Sequence, residues 1–101
     1  MSWFTAAAAA TLNAQGRVCL SVNGIRILLI ENNGQVFALE NRCPHAGKPL
    51  DGGNIHKGTI RCPFHGAEFR LDNGAHLSPP AFTDLRTFPV RHRGDQIEIK
   101  I

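Results

Sequence analysis

Cys43-Pro44-His45-Ala46-Gly47 and Cys62-Pro63-Phe64-His65-Gly66-Ala67 are near-copies of one short motif, with sixteen residues between His45 and Cys62. The first carries a C-x-H pair and the second a C-x-x-H pair. Two thiolates and two imidazoles can hold one tetrahedral metal such as zinc, or the two irons of a [2Fe–2S] centre. Each pair needs a loop that turns sharply. Proline follows each cysteine, stiffening the loop and removing a competing donor. Glycine follows the histidines, as Gly47 and Gly66, where the backbone needs freedom and close approach. Their neighbourhoods can aim backbone N–H groups at the bridging sulfides of such a cluster.

Outward from this pair of loops, the chain reads as β. Residues 17–22 and 25–31 are apolar-rich runs joined by Asn23-Gly24, a strong hairpin signal. Asn32-Asn33-Gly34 leads into a third strand over 35–40. At the other end, residues 96–101 alternate and put Ile97, Ile99 and Ile101 on one face. Residues 86–92 form its expected partner, with Pro89 at an edge or a bulge. Short strands are expected at 59–61 and 68–71. Residues 41–80 hold six of the ten glycines and five of the six prolines. The expected architecture is all-β: an antiparallel sandwich or barrel framework, 17–40 plus 86–101, carrying an inserted ligand-binding subdomain over about 41–80. The chain of 101 residues is read as a single domain. The Ala6 to Ala10 stretch is expected to make a short helix or turn, since alanine has the highest helix propensity.

Composition excludes several classes. The formal charge is +3, with no block of five like charges, so the charge alone does not argue for nucleic acid. No apolar run approaches the ~18 residues of a membrane span. Three cysteines, two of them at ligand spacing, argue against a disulfide framework and suit a cytoplasmic setting. Cys19 lies in a strand-like run and is read as a small core or strand residue. His56, His76 and His92 are read as solvated or hydrogen-bonded surface residues. Arg42, Lys48, Lys57 and Arg61 are read as surface charges, with a docking rim for an acidic redox partner as the lesser reading.

The detailed pattern Cys43-Pro44-His45-x-Gly47-x-x-Leu50 and Cys62-Pro63-x-His65-Gly66-x-x-Phe69 resembles the Rieske iron–sulfur family. The resemblance covers roughly residues 17–101 and is strongest at 41–70. It implies the Rieske fold and one [2Fe–2S] cluster, with Cys43 and Cys62 on one iron and His45 and His65 on the other. It also implies that Ser78-Pro79-Pro80 is a third loop covering the cluster. Ligand chemistry alone leaves a structural zinc site open. Neutral imidazoles in place of two thiolates leave the oxidised cluster uncharged and the reduced one singly negative, which raises the potential.

Within the family, the chain looks like the small Rieske-type ferredoxins of ring-hydroxylating oxygenase systems. Respiratory and photosynthetic members carry a disulfide beside the cluster; Lys48 and Phe64 stand at those positions here. They also carry Ser and Tyr hydroxyls near the sulfurs; Ala67 and Phe69 stand there. No mononuclear-iron domain is expected beside it, so the chain is expected to do no bond chemistry itself. The resemblance thus implies a monomeric, cytoplasmic one-electron carrier. Its partners would be a flavin-dependent ferredoxin reductase and a terminal oxygenase, with no nucleic acid and no membrane. Pro44, Pro49, Leu50, Pro63 and Pro80 would be the apolar contacts of its docking tip. The alternatives are a small Rieske-like subunit of a reductase complex such as nitrite reductase, and a zinc-stabilised binding module.

Overall fold

The computed structural model describes residues 2–44, 47–64, 66–78 and 83–101. The strands are β1 (Trp3–Ala8), β2 (Arg17–Val22), β3 (Ile25–Asn32), β4 (Gln35–Glu40), β5 (Asn54–His56), β6 (Thr59–Arg61), β7 (Glu68–Arg70), β8 (His76–Ser78), β9 (Thr87–Phe88), β10 (Val90–Arg93) and β11 (Gln96–Lys100). One helix, α1 (Ala9–Gln15), links β1 to β2. The strands form three antiparallel sheets, ordered β1-β11-β10, β2-β3-β4-β9 and β5-β6-β7-β8.

The all-β expectation holds, and the hairpin signals hold with it. Asn23-Gly24 and Asn33-Gly34 both place two successive residues at positive φ. That is the two-residue turn whose twist matches the flanking strands.

β3 is the wall between two cores. Its residues 27–30 are Ile, Leu, Leu and Ile, all fully buried. Side chains alternate along a strand, so successive residues serve opposite faces. Ile27 and Leu29 pack with Leu12, Ala38, Phe88, Ile97 and Ile99. Leu28 and Ile30 pack with Leu39, Cys43, Leu50, Ile60, Cys62, Ala67, Phe69, Leu71 and Leu85. A run that is apolar on both faces is what a doubly covered strand requires. The second core is the floor of the inserted unit, and both motif cysteines belong to it.

The alanine segment departs from expectation. Most of it is strand: Trp3–Ala8 pairs with β11, with Phe4 opposite Ile99. The helix begins only at Ala9, buries Leu12 and ends at Gly16, whose φ is +80°. Pairing along the open side of β11 outweighs alanine's helix propensity, which is a weak preference. The framework therefore starts at Trp3, not at residue 17. Backbone bonds between Ser2 and Ile101 tie the two ends together.

Residues 86–92 also differ from one continuous strand. β9 pairs with β4, β10 pairs with β11, and Pro89 stands where the chain crosses from one sheet to the other. Proline has no N–H for a ladder, so the crossing falls where no bond is lost. Cys19 lies on β2 as read, but it is exposed and not a core residue. Val18, Leu20 and Val22 take the inward positions, which leaves Cys19 on the opposite side.

Candidate metal centre

The two motif loops are built alike. The Cys43 N–H donates to Lys48 O at 2.7 Å, and the Cys62 N–H donates to Ala67 O at 2.7 Å. The Gly47 N–H donates to Cys43 O at 2.7 Å, and the Gly66 N–H donates to Cys62 O at 3.0 Å. In both, the cysteine opens a six-residue ring and the glycine sits at its fifth position. Gly47 has φ +70° and Gly66 has φ +76°, where a side chain would be strained. The sequence copy is therefore a structural copy. The two glycine amides close the loops.

Cys43 and Cys62 are both buried and both belong to the core beneath the loops. Leu50, Ala67 and Phe69, all fully buried, share that core. Two cysteines on equivalent loops over one apolar floor fit a group that clamps the loops from both sides. His45 and His65 lie outside the described residues, as do Pro79 and Pro80 of the expected third loop. Pro44 and Pro49 are half-buried and Pro63 is exposed. Leu50 was expected at the docking tip; it is fully buried instead. Phe64, 54% exposed, is a large apolar side chain that this surface presents.

Sequence reasoning missed the side chain that holds the first loop in place. Asn41 is buried, and its Oδ1 accepts the N–H groups of Leu50 at 2.7 Å and Asp51 at 3.1 Å. Its Nδ2 donates to Asp51 Oδ1 at 3.3 Å and to Cys19 Sγ at 3.8 Å. One amide thus fixes the return of the loop onto the framework. Arg17 Nη1 adds bonds to the carbonyls of Asp51 at 2.6 Å and Gly53 at 2.8 Å. The second loop approaches here too. A Cβ on Gly53 would lie 2.3 Å from Arg61 O, so no other residue fits between the two segments. The signals were an asparagine two residues before Cys43 and the pair Gly52-Gly53, neither distinctive alone. Partial desolvation, then the Asp51 carboxylate, push the Cys19 thiol above its ordinary range.

His76 and His56 are exposed, and so is His92, as read from the sequence. His76 Nδ1 lies 2.6 Å from Asp84 Oδ1, and Asp84 also accepts the His76 N–H at 3.1 Å. The Asp84 carboxyl is held below the usual carboxylate range, first by the His76 side-chain bond and then by the backbone bond. This pair joins the two chain segments that flank residues 79–82.

Comparison with known proteins agrees with this geometry. The Rieske [2Fe-2S] domain matches residues 2–89. The ferredoxin of carbazole 1,9a-dioxygenase from Nocardioides aromaticivorans superposes with a TM-score of 0.89 at 26% identity, covering 98% of this chain and 97% of that one. The ferredoxin component of the naphthalene 1,2-dioxygenase/salicylate 5-hydroxylase systems of a Ralstonia species is 29% identical over 100 residues, spanning 99% of this chain and 96% of its own. Mouse apoptosis-inducing factor 3 is 36% identical over 75 residues, and this chain spans only 12% of that protein's length. The chain belongs to the Rieske [2Fe-2S] family, whose cluster is held by two cysteines and two histidines.

Proposed function

We propose that this chain is a one-electron carrier in the cytoplasm, taking electrons from a flavin-dependent reductase and passing them to a terminal, aromatic-ring-hydroxylating oxygenase. The single observation that supports it best is the pair of equivalent closed loops, each delivering a buried cysteine to one apolar floor. Two ferredoxins of dioxygenase systems match this chain along nearly their whole length. No helix among the described residues is long and apolar enough to cross a membrane.

In this reading, Cys43 and Cys62 hold one iron, and His45 and His65 hold the other. A Rieske cluster, when bound, accepts and returns a single electron. The chain's own part is to position and to shield. Leu50, Ala67 and Phe69 close the inner side against water. Asn41 and Arg17 lock the return of the first loop onto the framework, so Cys43 is held over the floor before any cluster binds. Pro63 and Phe64 present an apolar outer surface for a partner. No residue is assigned bond chemistry, and the subdomain over about 41–80 is the cluster-binding part of one domain.

The test is purification and reconstitution. Two irons and two acid-labile sulfides per chain, a visible spectrum, and oxygenase turnover that depends on adding this protein to a reductase are the expected results. A colourless protein with stoichiometric zinc and no iron, made with iron in excess, would remove the reading.

A further inference from the structure

We infer that the redox partner docking on the two loops is acidic, and that one of its carboxylates enters the notch beside Cys62, held by Arg61. The inference rests on the proposed carrier function and specifies the partner's chemistry. Residues 42–48 and 61–67 contain Arg42, Lys48 and Arg61 and no acidic residue. The chain's formal charge is +3, so these two loops carry all of it, and the remaining eight cations and eight acids cancel. The reduced cluster would offset one of the three charges and leave the surface cationic.

The three side chains are exposed, and none has a carboxylate within ion-pair distance among the described residues. Arg70 and Arg91, by contrast, are paired with Asp72 and Glu98. The two arginines are placed by symmetry as well as by sequence. Each directly precedes a loop cysteine and lies back over the glycine of its own loop. A Cβ on Gly66 would meet Arg61 Nη2 at 3.0 Å, and one on Gly47 would meet Arg42 Nε at 3.5 Å. The guanidinium groups are thereby held beside the loops.

A notch of about 340 Å³ opens beside Cys62, lined by Gly52, Asn54, Arg61, Cys62, Pro63 and Gly66. It offers a guanidinium and an amide around a small space, which suits one carboxylate. Phe64 and Pro63 stand exposed next to it. An apolar patch with an arginine anchor and a cationic rim is the composition of a protein-docking surface. The rim steers an oppositely charged partner toward the place where the electron leaves.

Small oxidants of opposite charge test this without a natural partner. The reduced holoprotein is oxidised by anionic ferricyanide and by cationic hexaamminecobalt(III) at low ionic strength. The ratio of the two rates is the readout, because a change in cluster potential moves both rates in the same direction. The variant Arg42→Glu/Lys48→Glu/Arg61→Glu should lower the ferricyanide-to-cobalt ratio by about tenfold or more. In about 0.5 M salt the difference should largely vanish. Arg93→Glu, in the sheet that shares no strand with the loops, should leave the ratio unchanged. Where the triple variant does not load, Lys48→Glu and Arg61→Gln singly should each lower it by about two- to threefold at low salt. Redox-inert hexacyanochromate(III) gives a second readout: it should speed spin relaxation of the reduced cluster more in the wild type than in the loaded variants. A ratio that does not move in loaded variants, in a protein that still supports oxygenase turnover, overturns the inference and leaves the carrier function standing.

Discussion

The Lys48 ammonium lies 5.7 Å from the centroid of the Phe64 ring, joining the end of the first loop to the middle of the second. These are the two positions that, by the family resemblance, carry a disulfide in respiratory and photosynthetic members. A non-covalent contact replaces the covalent staple. Phe64 is 54% exposed and Lys48 is exposed, so the contact is worth ~0.5–1 kcal/mol. A double-mutant cycle of Lys48→Ala and Phe64→Ala, followed by urea unfolding of the loaded protein, should return a coupling of about that size. A coupling of zero would mean that this contact does not tie the loops together.

Asn41 and Leu50 hold the same loop from the inside. Removing the Asn41 amide orphans two N–H groups, each costing about 1–3 kcal/mol if buried without a partner. Leu50→Ala removes a fully buried side chain from the floor of the unit, at about 2–5 kcal/mol. Both variants should unfold at lower denaturant and lose their visible spectrum sooner on dilution into chelator. Neither should act as a docking variant: with the cluster still loaded, the rate of electron transfer per cluster should be unchanged. Thermal melts paired with single-turnover kinetics separate the two effects.

Much of this was legible in the chain because the signals were local. The strand 35–40 follows from a short apolar run, and the Asn-Gly pairs fix the turns. What was not legible depended on partners distant in sequence. Residues 3–8 are strand because β11 offers an edge, and no property of an alanine run announces that. β5 and β8 are three residues each, with polar members, and only the ladder with β6 and β7 makes them strands. Leu50 looked like a tip residue from its neighbours, yet the bonds of Asn41 turn it inward. The candidate centre was legible from the Cys and His spacing together with the family resemblance, but the equivalence of the two loops needed their backbone bonds.

The pair His76–Asp84 gives a signed pH dependence. Asp84 is held below its ordinary value of 3.8, chiefly by the His76 side chain. A carboxyl depressed on folding contributes stability that is present above its unfolded value and is lost as pH falls through the folded one. The wild type should therefore lose stability below about pH 4 more steeply than Asp84→Asn, with the two differing by a constant amount from pH 5 to 6. The group is fully exposed, so the effect should shrink in salt. Thermal midpoints of the two proteins from pH 6 to pH 3, at low and high salt, provide the check. Parallel curves through the acid limb would show that the pair does not contribute to folding.

The potential of the cluster turns on Ala67 and Phe69. Both are fully buried in the core that holds Cys43 and Cys62, and neither offers a hydroxyl. A donor bonded to a cluster sulfur favours the reduced state, because reduction adds negative charge there. Lacking two such donors, the protein should sit near the low end of the Rieske range, at about −150 mV. That suits an electron coming from a flavin and leaving to an oxygenase cluster of similar potential; oxidation of a quinol would need a far more positive acceptor. Ala67→Ser and Phe69→Tyr should each raise the midpoint. A hydrogen bond worth about 1 kcal/mol in the reduced state corresponds to ~40 mV for one electron. An opposing effect travels with each substitution, because a buried hydroxyl without a partner costs about 1–3 kcal/mol of stability. Voltammetry and melting together tell the outcomes apart. A raised midpoint with stability kept means that the hydroxyl has found sulfur, whereas an unchanged midpoint with a lower melting temperature means that it has only been buried. A wild-type midpoint above about +200 mV would place the protein with the high-potential members instead.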